Sequence, residues 1–131
     1  MELVDNHKCF VCGPDNPHGL HINFTHIPGQ LKTNFKTEEW MQGYANIVHG
    51  GIISIVLDES MVKLLYLEGF KAVSAQLNIR LFKPVSPGTT LFVESHLTGQ
   101  KGRILKTQAQ ATLEDGTLIA SATAICAIVS D

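Results

Sequence analysis

The chain has 131 residues, enough for one domain with a sizeable core; 44% are hydrophobic and 17% charged, which excludes a disordered chain. Ten Lys and Arg stand against twelve Asp and Glu, and the basic residues are scattered, so there is no electrostatic footprint for nucleic acid or an anionic membrane. No apolar run approaches the ~18 residues of a membrane span, and the opening MELVDNHKCF is too polar and acidic for a secretory signal or transit peptide.

Residues 1–19 read as an N-terminal loop segment, broken by Gly13, Pro14, Pro17 and Gly19, ahead of a single domain over residues 20–131. The segment holds Cys9-x-x-Cys12, with His7, His18 and His21 nearby. Two Cys and two His can make a tetrahedral zinc site. The His spacing is poor, however, and no second CxxC follows. A redox pair would open a helix after a strand, whereas Gly13-Pro14 comes next. The expected reading is a structural loop with no metal. Cys126 makes the count odd in a chain that needs no staples, which fits reduced thiols in a cytoplasmic protein.

In "LHINFTHIPGQLKTNFKT" apolar Leu20, Ile22 and Phe24 alternate with polar residues, and the pattern resumes from Leu31 to Phe35. The intervening "PGQ" predicts a hairpin. From Gly50 to Leu67 there is no proline, and apolar residues fall all round the helical wheel, predicting one long helix buried on every side and stopped by Gly69. Four strands are then expected. "VSAQLNIRLF" should place Val73, Ala75, Leu77, Ile79 and Leu81 on one face, with Ser74, Gln76, Asn78 and Arg80 on the other. "TTLFVESHLT", "RILKTQAQATLE" and "TLIASATAICAIVS" follow, joined by "GQKG" and "EDG" turns. Ala120, Ala122 and Ala124 would let a helix approach closely. The class is therefore α+β: a central helix wrapped by five or six mostly antiparallel strands, whose open edge calls for a dimer.

The helix carries two carboxylates. Glu59 has Lys63 four residues on, in the order that favours a surface ion pair. Asp58 has only Ser54, Ile55, Met61 and Val62 along its stripe. An uncompensated carboxylate there should face a cavity, a ligand or another chain. At the helix start, "HGG" (His49, Gly50, Gly51) leaves first-turn N–H groups unobstructed, a ready-made oxyanion hole; a flexible helix entry with His49 as its cap is the plainer alternative. His49 and Asp58 are ~13 Å apart along an ideal helix, too far for both to touch one carbon. A second subunit's helix start would close that gap.

These residues resemble the hotdog-fold thioesterases, and most closely their phenylacetic-acid-degradation (PaaI-like) group. The likeness runs through "CFVCGPDNPHGL", "YANIVHGGIISIVLDE" and "VSAQLNIRLFKPVSPG", in order over most of the chain. It implies dimers or tetramers that hydrolyse an acyl-CoA thioester, CoA being part of the substrate and no further cofactor being needed. By the same resemblance, Asp58 is nucleophile or general base and the N–H groups of Gly50 and Gly51 polarise the carbonyl. His49 shapes the site, and Ser74 positions water or acid. Related enzymes carry Asn where this chain has Gly43; Gln42 or Asn46 would supply that amide. Gln76, and for the CoA phosphates Lys83 beside Pro84 and the turn of Lys101, Gly102 and Arg103, are the expected substrate contacts, with both basic groups placed beside the helix start. The acyl pocket would draw on Met61, Leu65, Tyr66, Phe70 and Phe82. A non-catalytic acyl-CoA sensor would keep the pocket without needing Asp58. A hotdog hydratase would use an Asp/His pair in a different pattern.

Overall fold

A computed structural model describes residues 2–129; Met1, the Ser130 end of the last predicted strand and Asp131 lie outside the described residues. The elements run β1 (Thr25–Ile27), β2 (Gln30–Lys36), a short 3-10 turn (Glu39–Met41), α1 (Gly50–Leu67), β3 (Ala72–Leu81), β4 (Thr90–Lys101), β5 (Ile104–Thr112) and β6 (Leu118–Ile128). All pairings are antiparallel, in one six-stranded sheet ordered β1-β2-β4-β5-β6-β3.

The predicted hairpin forms about Pro28 and Gly29, with Ile27 opposite Gln30 and Gly29 at φ 78°, a conformation that suits glycine. Its first arm is shorter than the alternation suggests. His21 takes a left-handed φ of 54°, and the Leu20 and Ile22 N–H groups donate instead to Phe10 and Val11 carbonyls. The N-terminal segment is thereby tied to the domain, and Val11 and Ile22 join the core.

Helix α1 buries Ile53, Val56, Leu57, Ser60, Met61, Leu64 and Leu65, an i, i+3, i+4, i+7 stripe. The expectation of burial on every side is corrected: Ile52, Ile55, Val62 and Leu67 remain partly exposed within one chain. The stripe packs on the inner sheet face, where Ala109, Ala111, Ala120, Ala122 and Ala124 are all buried. These methyl-sized side chains let the helix sit close.

Strand β3 forms one edge of the sheet. Its register slips between Ser74 and Gln76, and this bulge reverses the parity of everything before it. Ser74 pairs with buried Cys126, and Leu77, Ile79 and Leu81 pair with Ala124, Ala122 and Ala120. Ser74 therefore shares the inner, helix-facing side with the leucines, not the side of Gln76 as the alternation predicted. The rest of that strand is bare: Leu77, Leu81 and the following Phe82 are each 41% to 52% exposed.

Candidate active site

The bulge has a chemical consequence. It aims the Ser74 hydroxyl at α1, where it donates to Asp58 Oδ1 over 3.0 Å. Asp58 is half-buried, and among the described residues Ser74 is its one hydrogen-bond donor, leaving Oδ2 available. Beneath the pair lies Cys126, fully buried. Burial pushes its thiol up from the ordinary 9.0, the Asp58 carboxylate adds to the effect, and the Ser74 and Thr107 hydroxyls oppose it.

A thiol that is harder to ionise when folded stabilises the fold below the unfolded value and stops doing so above it. Stability should therefore hold up to about pH 9 and fall as pH rises further. Thermal melts from pH 8 to 10.5 check this, with a shallower decline expected for Cys126→Ala.

At the other end of the helix, His49 is the N-cap: its Nδ1 accepts the Gly51 N–H at 2.8 Å, which places the ring proton on Nε2. This corrects the expectation that both glycine N–H groups are available. The Gly50 N–H, with no partner among the described residues, is the open donor. A Cβ on Gly50 would lie 2.6 Å from Leu81 Cδ1, and one on Gly51 2.8 Å from His49 Nδ1. At both positions the neighbour is a side chain, so glycine lets the Leu81 methyl and the His49 ring close on the helix start. A cavity of about 410 Å³ opens here, lined by Gly43, Tyr44, Ile47, Val48, His49 and Gly50.

Gly43 abuts the His49 ring, since a Cβ there would be 3.2 Å from Cδ2. Of the two stand-ins expected for the amide at that position, Gln42 is engaged within its own loop. Gln42 Oε1 accepts the Asn46 N–H at 2.6 Å and its Nε2 donates to the Glu39 carbonyl at 2.9 Å. Asn46 itself is exposed at φ 65°. The Gln42 amide holds the loop in shape, and the structure brings neither side chain to Asp58.

The predicted basic contacts separate. Lys83 sits at the helix-start end: the Lys83 N–H donates to the Ile119 carbonyl at 3.4 Å, and the Val85 carbonyl just beyond Pro84 accepts the Val48 N–H at 2.9 Å. The Thr117 hydroxyl and N–H, helped by Lys83, hold Asp115 below its ordinary 3.8, so Lys83 also stands near the β5–β6 turn. The turn at residues 101–103 does not lie beside the helix start, as expected, but at the opposite end. Arg103 Nη1 and its carbonyl bind Ile128, which pairs with Ala72 at the start of β3. Gln76 pairs with Ile125 on the outer face, away from Asp58. Of the expected pocket residues, Met61 and Leu65 are in the core, Tyr66 and Phe70 line a cavity beside Glu59, and Phe82 is half exposed.

Glu59 is a further correction. Among the described residues it makes no ion pair with Lys63, whose ammonium lies over the Tyr66 ring. Its Oε1 instead accepts from the Cys12 and Cys9 thiols at 3.1 and 3.6 Å. The local i, i+4 pattern gave no sign of these partners.

One helix across a six-stranded antiparallel sheet, with an "HGG" start and a carboxylate two turns on, defines a hotdog-fold protein. A family model described as the thioesterase superfamily matches residues 45–120, more than half of the chain, and the chain belongs to that superfamily. A solved structure of a thioesterase superfamily protein aligns with a TM-score of 0.86 at 22% identity, covering 94% of this chain and 63% of that one. This chain thus spans less than two thirds of that relative. The Escherichia coli PaaI protein, from the phenylacetic acid degradation operon, aligns with a TM-score of 0.79 at 15% identity, covering 85% and 81%. A Streptococcus mutans protein bound to acetyl CoA aligns at 0.78 and 19% identity, covering 84% and 90%. No curated protein matches the chain. No helix among the described residues is long and apolar enough to cross a membrane.

Proposed function

We propose that the protein hydrolyses an acyl-CoA thioester to the free acid and CoA, at a site completed by two subunits. The observation that carries this reading is the division of the chemistry between the two ends of β3. Asp58 and Ser74 stand at its start, while Gly50 and His49 stand beside Leu81 at its end. Two-fold pairing of β3 edges, centred between Leu77 and Asn78, would set Ser74 of one chain across from Leu81 of the other. Asp58 would then face the partner's helix start. The same pairing would cover Leu77 and Leu81 and carry residues 101–103 toward the partner's Lys83, gathering cations for the CoA phosphates. On this reading the working unit is a dimer, or a dimer of such dimers.

In the reaction, the thioester oxygen accepts the Gly50 N–H at the positive end of the helix dipole. Asp58 takes a proton from an attacking water, or attacks the carbonyl carbon itself to give a mixed anhydride that a water then cleaves to the free acid and the regenerated carboxylate. The C–S bond breaks, and the CoA thiolate leaves without a strong general acid. Ser74 fixes the carboxylate through Oδ1, so Oδ2 remains free to act. Ser74→Ala is expected to lower kcat about tenfold or more with KM little changed, as steady-state assays of free thiol would register, because a single hydrogen bond to the reacting carboxylate is lost.

Sharing of the site has its own test. Asp58→Ala and Gly50→Val homodimers should each be inactive. Mixed after reversible dissociation, they should regain activity, because each heterodimer contains one site with both native halves. Absence of recovery in verified heterodimers would assign all groups to one chain.

A further inference from the structure

The Cys9-x-x-Cys12 pair meets Glu59 of α1. Its three closest ligand-type atoms, Cys9 Sγ, Cys12 Sγ and a Glu59 carboxylate oxygen, all lie within 4.8 Å of one another. The donors come from two separate parts of the chain, since Glu59 is 47 residues beyond Cys12. None of the neighbouring histidines is a member. His21 Nε2 bonds the Asn16 carbonyl, and His7 lies near Asp5.

We propose that Cys9, Cys12 and Glu59 bind a thiophilic divalent cation of the zinc type through two thiolates and one carboxylate, with a fourth position open to the adjoining cavity. The spacing agrees with a tetrahedron. Metal–sulfur bonds of ~2.3 Å and metal–oxygen bonds of ~2.0 Å give sulfur–oxygen edges of roughly 3.5 Å, and the two such edges here are 3.6 and 3.1 Å. The loop is built for this approach. The Gly13 N–H closes on the Cys9 carbonyl at 2.7 Å, and a Cβ on Gly13 would meet Cys9 and His7 backbone atoms at 2.4 to 2.6 Å, so only glycine fits behind the two thiols.

The charge balance also favours the exchange. The Glu59 carboxylate is half-buried and accepts from both thiols, so the two protons a cation would displace already point at the third donor. On binding, two S–H bonds break, two protons leave to solvent, and two metal–sulfur bonds and one metal–oxygen bond form. A dication replaces two protons, so the net charge of the cluster is unchanged. The open side is a cavity of about 390 Å³ that Asp5, Tyr66 and Phe70 also line, wide enough for a water or another donor at the fourth position. Such an ion would clip the N-terminal segment to α1 at the residue next to Asp58.

The test uses the whole chain, reduced and freed of metal, titrated with Co2+ and then with Zn2+. The expected results are a sulfur-to-cobalt charge-transfer band saturating at one Co2+ per chain, its displacement by Zn2+, and a Tm raised by about 5 °C or more with excess Zn2+. Cys9→Ser combined with Cys12→Ser should abolish the band. Glu59→Gln, which retains shape and hydrogen bonding, should weaken Co2+ binding by more than about tenfold. A folded, reduced chain that gives no band and no Tm shift overturns the site. So does Co2+ affinity unchanged in Glu59→Gln, even where the double Cys variant fails to fold. Neither result bears on thioester hydrolysis, which is read separately as released CoA.

Discussion

Asp58→Ala is expected to lower kcat for acyl-CoA hydrolysis by at least about 10³-fold, the scale of losing a positioned base or nucleophile. The fold should survive. The carboxylate is half-buried, its one hydrogen-bond donor among the described residues is the Ser74 hydroxyl, and Ser74 is itself exposed and can turn to water. The melting temperature should therefore shift by only a few degrees, which separates a chemical defect from unfolding. Asp58→Asn keeps an acceptor for Ser74 but loses the base, so it should fold normally and turn over slowly. Steady-state thiol release and thermal melts, run on the same preparations, check both statements.

The largest effect on stability belongs one residue earlier. Leu57 is fully buried in the stripe that α1 presses on the sheet. Close packing against alanines leaves little freedom to collapse around a void, so Leu57→Ala should cost about 3–5 kcal/mol, the upper part of the range for such truncations. Leu67, 40% exposed at the helix end, is the matched control, and Leu67→Ala should cost below about 1 kcal/mol. Urea unfolding measures the difference. Similar costs at both positions would contradict the one-sided burial of the helix.

That contrast shows where the sequence is legible. The helix from Gly50 to Leu67 announces itself through length, absence of proline and apolar density, and the strands through alternation and turn residues. Which helix face is buried could not be read, because Ile52, Ile55 and Val62 are as apolar as Ile53 and Val56; only the sheet decides. The six strands were within the expected count, and the alanine run of β6 correctly signalled close helix contact. The bulge at Ser74 and Gln76 has no local signature, so period-two counting put Ser74 on the wrong face although Ser74 itself was picked out. Asp58 stood out because nothing along its own stripe could compensate it, and the partner it does have, Ser74, comes from β3. Glu59 was misread for the complementary reason: Lys63 offered a local partner, whereas the true neighbours, Cys9 and Cys12, come from a distant segment. The placement of residues 101–103 depended on strand order, which a pattern of single strands does not specify. His49 illustrates competition at close quarters, its ring taking the Gly51 N–H that the motif alone suggested was open.

The most direct measurement is thiol release by the unmodified protein from a panel of CoA esters, from acetyl to palmitoyl and including phenylacetyl and benzoyl. Free CoA appearing from at least one ester, catalytically and above the uncatalysed rate, is the predicted result and reveals the acyl preference at once. CoA esters that bind to the protein yet release no thiol across the panel would contradict the thioesterase reading and leave an acyl-CoA sensor in its place.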